Sequence, residues 1–185
     1  MKSFKPITVL LTSLIAALSS FQILAVETLD SHEHGSANLN IAIDNKVIAI
    51  HFESPAVNII GFEYQPNDEA QRSLISAAKS KLSNFANSYE LQGEPNCLMI
   101  SSSADWVSEH SEQDETVGAS LETEHAEFVV EFELQCEQIN NLTAIDVSLL
   151  ALFPAIDEID TQVIYTGGQI KQELTRNNTL IKLMK

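Results

Sequence analysis

The sequence predicts an α+β fold, a mostly antiparallel β-sheet packed against one long helix, with a mobile acidic loop. Three observations predict it. Several stretches alternate apolar and polar residues with the period of a half-buried strand. One stretch, 67–87, carries apolar residues near the helical period of 3.6. A third, 105–127, holds Asp105, Glu109, Glu112, Asp114, Glu115, Glu122, Glu124 and Glu127 without a single Lys or Arg, a composition that favours solvation over packing. The 185 residues suit one domain of ordinary size with appendages.

Residues 1–25 read as a cleavable export signal. Lys2 and Lys5 form a basic start, Ile7 to Leu18 is apolar or small, and Ile23 and Ala25 fit the positions before a signal-peptidase cut. The apolar run is short for a span of roughly 20 residues and no basic flank follows, so no stable membrane anchor is expected after cleavage. Ala37, Leu39, Ile41 and Ile43 then alternate as a first strand. Asp44-Asn45 tolerates positive φ and suits a hairpin turn. Ile48, Ile50 and Phe52 mark one face of the second strand, with Ala49, His51 and Glu53 on the other, and Pro55 ends it. The helix over 67–87 has Asn67 or Asp68 as its cap and Ala70, Leu74, Ala77, Ala78, Leu82 and Phe85 as its stripe. Gly93-Glu94-Pro95-Asn96 is a turn, and Leu98 to Ile100 opens a short strand. After the acidic stretch, Ala126, Phe128, Val130, Phe132 and Leu134 face inward while His125, Glu127, Val129, Glu131 and Glu133 face outward. Further strands are expected at 144–152, 160–166 and 179–184, with Gly167-Gly168 turning the chain.

Composition excludes several function classes. The chain has 26 acidic against 10 basic residues, a formal net charge of −16. Nucleic-acid recognition requires clustered cations to neutralise phosphates, so no nucleic-acid partner is expected. A polybasic membrane-surface protein is disfavoured on the same ground. Two cysteines are too few for a thiolate zinc finger or an iron–sulfur cluster. In an exported chain, Cys97 and Cys136 are expected to pair, since both lie at strand ends in an oxidising compartment. The closed loop of roughly 40 residues is worth roughly 3–4 kcal/mol in the loop-entropy picture. The alternative is a pair of thiolate metal ligands, against which oxidation competes.

The candidate chemistry is metal binding. His32-Glu33-His34-Gly35 directly precedes the first strand, and in an extended segment His-x-His places both imidazoles on one side. Imidazole nitrogen and carboxylate oxygen suit Zn²⁺. His125 with Glu127, and His51 with Glu53, each project an imidazole and a carboxylate from one sheet face. His110 lies in the acidic loop before His125. The bland alternatives are a solvated tail carrying two chance histidines and exposed strand histidines. The loop acids lack EF-hand spacing. No G-x-S-x-G elbow, H-E-x-x-H helix or P-loop is present, so no enzyme activity is expected.

The motifs His32-Glu33-His34-Gly35-Ser36-Ala37, Ser54-Pro55-Ala56, Gly61-Phe62-Glu63-Tyr64-Gln65-Pro66 and Gln71 resemble the periplasmic zinc-uptake accessory family of the ZrgA type. Cys97, the strand from His125 to Cys136, Phe153-Pro154 and Gly168-Gln169 continue the similarity in order along nearly the whole exported chain. The resemblance implies a non-catalytic, zinc-binding periplasmic protein of Gram-negative bacteria that assists a zinc importer. The expected partners are zinc and either a periplasmic solute-binding protein or a zinc ABC importer. The positions that match the family's are His32, His34 and His125, and Glu127, a loop carboxylate, His110 or water is expected to complete the set. Two departures stand out: the central loop is acidic where relatives are His-rich, and Tyr64 follows Gly-Phe-Glu where relatives tend to have His. The resulting organisation is a signal peptide at 1–25 and one periplasmic metal-binding domain at 26–185, with the acidic loop at 103–124. The rival expectation is a non-metal adaptor that docks a basic partner through that loop.

Overall fold

A computed structural model of the chain describes residues 34–108 and 125–183. The export signal, His32 and the acidic residues 109–124, including His110, lie outside the described residues. β1 (Ser36–Asp44) and β2 (Val47–Pro55) form the first hairpin, and Asn45 adopts φ 52° in its turn. The chain then makes α1 (Ala56–Ile60), α2 (Glu69–Leu82), α3 (Phe85–Ser88), β3 (Tyr89–Gln92) and β4 (Cys97–Ser108). After it come β5 (Ala126–Cys136), β6 (Ala144–Val147), α4 (Leu149–Leu152), β7 (Glu158–Tyr165), β8 (Gly168–Thr175) and β9 (Leu180–Lys182). One sheet has the order β4-β5-β2-β1-β7-β8, antiparallel except for the β1–β7 pair, and a second has the order β3-β6-β9.

Strict alternation builds the large sheet. Leu39, Ile41, Ile48, Ile50, Phe52, Phe128, Val130, Phe132, Ile159 and Val163 are buried on one face. The residues between them in sequence reach the other face, which is polar and half-exposed. Side chains of both sheets meet in one core, where Phe132 of β5 lies edge-on to Tyr89 of β3 at 5.8 Å between ring centres. Cys97 and Cys136 sit directly opposite each other on β4 and β5 and form a disulfide. With no other cysteine in the chain, the thiolate-ligand alternative falls.

Three expectations are corrected. The helix over 67–87 stops at Leu82, where α3 begins a separate turn three residues on. Asp68 does cap α2, its carboxylate accepting from the Gln71 amide at 2.8 Å. The stripe, however, buries only Ala78 and Leu82, and Leu74 is half-exposed. Alanines remove little apolar area from water, so α2 is no lid for the sheet; the small sheet and the short helices contribute much of the facing core. Residues 144–152 are β6 followed by α4 rather than one strand. Leu149 and Leu150 are adjacent and both buried, which a half-exposed strand cannot provide. Finally, residues 103–108, expected to be loop, are strand, the end of β4. β4 is an edge strand with Ala104 as its one buried residue, and Ser101-Ser102-Ser103 conceals its alternation.

Candidate metal centre

His34 and His125 stand at the same end of the large sheet. β1 and β5 both run antiparallel to the strand between them, β2, so both begin where β2 ends. β2 separates β1 from β5. What brings the two histidines together is the chain leaving β2. It forms α1, turns at Gly61 with φ 85°, and delivers Glu63 between them. Glu63 Oε2 lies 2.9 Å from His125 Nδ1, and Oε1 lies 3.3 Å from His34 Nε2.

Each arm of this triangle is fixed by local packing. Phe62 is buried, with its ring 6.0 Å from that of Trp106, which in turn meets Phe128 edge-on. Gln65 donates to Ser108 Oγ at 2.7 Å. These contacts hold the 61–65 segment against β4 and draw Glu63 inward, so its side chain is only 11% exposed. His34 is held through its neighbour. Gly35 has φ 91°, and a side chain there would meet Asp157 Oδ2 at 2.9 Å. Its amide donates to Oδ1 of the buried Asn58, while Asn58 Nδ2 donates to the Ser36 carbonyl, each at 2.9 Å. Asn58 thus clamps the peptide units either side of the turn beneath His34. Neither Asn58 nor Glu63 was singled out as a site residue from sequence. Glu63 lay within a recognised motif, but nothing in its spacing linked it to histidines 29 and 62 positions away.

The triangle joins two imidazoles and one carboxylate, donor types that suit Zn²⁺. A carboxylate only accepts hydrogen bonds, so His125 Nδ1 is the donor to Oε2. Oε1 is buried and accepts no hydrogen bond among the described residues. A buried acceptor without a donor costs free energy unless a cation meets it. Its 3.3 Å separation from His34 Nε2 matches the spacing of two ligands on tetrahedral Zn²⁺, about 3.3 Å for bonds of about 2.0–2.1 Å. Among the described residues no group of three or more His, Cys, Asp or Glu side chains is already placed to hold a metal ion. The imidazoles flank the carboxylate, and both are substantially exposed, at 68% for His34 and 45% for His125, leaving a solvent-facing side.

Residues 31–183 match the ZrgA family of zinc uptake proteins. The chain belongs to the ZrgA family. Among curated proteins none matches it. The match spans both sheets and the His34–Glu63–His125 triangle, and it assigns this ZrgA-family chain to zinc uptake. Of the other sequence-predicted site residues, Glu127 is half-buried on β5, two positions from His125, and His51 lies far along β2 on the outer sheet face.

Proposed function

We propose that this ZrgA-family chain is a periplasmic, non-catalytic zinc-binding protein that assists an envelope zinc importer, with Zn²⁺ as its cargo. The observation that carries the reading is the convergence of His34 and His125 on one largely buried carboxylate, Glu63. His34 Nε2, His125 Nδ1 and Glu63 are the protein ligands. Taking up the ion at Nδ1 moves the proton of the neutral His125 imidazole to Nε2, so that Nδ1 can ligate. Water fills the outer position, with His32, His110 and Glu127 as candidates to replace it. An open seat of mixed imidazole and carboxylate suits cargo better than a closed structural site does, because the outer ligand can be exchanged for one from a partner.

Net charge of −16 raises the local concentration of cations around the molecule. The disulfide is compatible with an oxidising compartment, and the receiving partner would be a solute-binding protein or the zinc ABC importer itself. Calorimetric titration of the untagged protein with Zn²⁺ tests the site. His34→Ala, His125→Ala and Glu63→Gln should each weaken the tightest binding event at least tenfold. Wild-type affinity in all three would place the ion elsewhere and overturn the reading.

A further inference from the structure

The outer face of the large sheet carries small and apolar side chains where a solvated face would carry polar ones. The strand registers put Ser101 of β4, Glu133 of β5, Ala49 of β2, Ala42 of β1 and Ile164 of β7 side by side in one row. The row crosses five strands, about 19 Å at about 4.8 Å per strand spacing. Ala42 and Ala49 are exposed and Ile164 is 64% exposed, so no element among the described residues covers them. The alanines leave a dip between taller neighbours, a shallow concavity of about 380 Å³ bounded by His51, Glu131, Gln162 and Ile164. Beside the β4 end of the row, Leu98 and Ile100 are 70% and 59% exposed. Exposed apolar side chains scattered singly are ordinary, whereas apolar residues at both ends of one concave row form a patch of the kind that partners cover.

The charge around the row has one sign. β1, β2, β4, β5 and β7 contain no Lys or Arg. Glu53, Glu131, Glu133 and Asp160 share the outer face. Among the described residues, cations stand only at its margins. Lys79 of α2 contacts Asp105 at 3.0 Å, Lys171 lies on β8 opposite Gln162, and Lys46 lies in the β1–β2 turn. His51 contacts Glu53 and Glu131. An apolar centre within a polar rim is the anatomy of a protein–protein interface. The sign of the rim selects the occupant. A second copy would bring the same acidic face, and an anionic lipid surface would be repelled in the same way.

The geometry points to a docking surface for a basic protein partner on the outer face of the large sheet. An apolar side chain of the partner seats on Ala42 and Ala49 against Ile164, and its lysines or arginines meet Glu131 and Glu133. The inference goes beyond the zinc reading and does not rest on it. It also differs from docking through the acidic loop, because every residue it uses lies on a strand of the large sheet.

NMR titration of the isotope-labelled full chain, with a synthetic amphipathic lysine–leucine peptide as the probe, tests it. Amide shifts should concentrate at Ala42, Ala49, Glu133 and Ile164. Glu131→Gln/Glu133→Gln, and separately Ile164→Thr, which keeps the β-branch that strands favour, should each weaken the peptide about fivefold. Both variants should keep the wild-type unfolding midpoint, since the altered side chains face solvent. A lysine–alanine peptide of equal charge should bind about tenfold more weakly, and added salt should weaken both peptides. Equal binding of the two peptides, shifts confined to residues 109–124, or wild-type affinity in both variants would each overturn the surface. A wild-type dimer in sedimentation that Ile164→Thr dissolves would give the face to a second copy. Binding to phosphatidylglycerol vesicles that the same variant abolishes would give it to a membrane. Either result would likewise overturn the basic protein partner.

Discussion

Glu63 is the residue on which the two histidines depend, and its burial sets what each substitution should do. Glu63→Gln keeps the volume and removes the charge, so Oε1 would lose its pull on a cation while Phe62 still anchors the segment. Zinc affinity should fall at least tenfold with the unfolding midpoint nearly unchanged, as read by calorimetry and urea denaturation of the same sample. Asn58 should behave the other way round. Its side chain satisfies the Gly35 amide and the Ser36 carbonyl and donates to Ser54 Oγ at 3.3 Å. Asn58→Ala leaves buried polar groups without partners, at about 1–3 kcal/mol per group. Denaturation should therefore report a loss of at least about 2 kcal/mol, together with weaker zinc binding because His34 loses its anchor. An affinity loss without a stability loss would show that Asn58 does not clamp the turn.

The strand pair β4–β5 carries the disulfide, and its removal is a prediction at the level of the element. Cys97→Ala/Cys136→Ala should lower unfolding free energy by roughly 3–4 kcal/mol, and the native protein should show no alkylatable thiol. A second element-level test concerns Tyr89 at the start of β3. Burial pushes its phenol far above the ordinary tyrosine range, and its hydroxyl has no hydrogen-bond partner among the described residues. The ring stacks on Phe85 at 5.3 Å. Tyr89→Phe keeps that stacking and removes an unsatisfied polar group, so stability should hold or rise by about 1 kcal/mol. β1, β2 and β5 were legible in the sequence because each has one face in the core and one in water, which writes the alternation directly. β4 and β8 are sheet edges, where packing constrains few positions, and β4 was legible only at its first residues. In the small sheet, β6 and β9 were expected within 144–152 and 179–184, and β3 was missed. Tyr89–Gln92 is too short to show a period, and its place is set by a partner distant in sequence. The same limit hid Glu63: His34 and His125 were readable as donors, but the carboxylate joining them is a product of topology.

At the scale of the whole molecule, the ion should act as a staple. The proposed metal centre would draw one ligand from the start of β1, one from the start of β5 and one from the segment after α1, all at one end of the large sheet. Unfolding separates these segments, so zinc held by the proposed centre would bind the native state far better than the unfolded chain. Any ligand with that preference stabilises by mass action, by about 2.7 kcal/mol at a free concentration one hundred times the dissociation constant. Thermal unfolding should therefore shift upward with zinc in wild type and His51→Ala, and far less in His34→Ala/His125→Ala. Acidification should shrink the shift. An imidazole ligates only when neutral and a carboxylate only when ionised, so protons compete with the metal and affinity rises with pH. Added salt separates a second contribution. Screening should slow capture by a molecule of net charge −16 while leaving contacts within the centre largely intact. Stopped-flow binding with a fluorescent zinc competitor, run across ionic strength, should show the association rate falling more steeply than the dissociation rate rises. Equal sensitivity of both rates would mean that the surface charge plays no part in gathering the cargo.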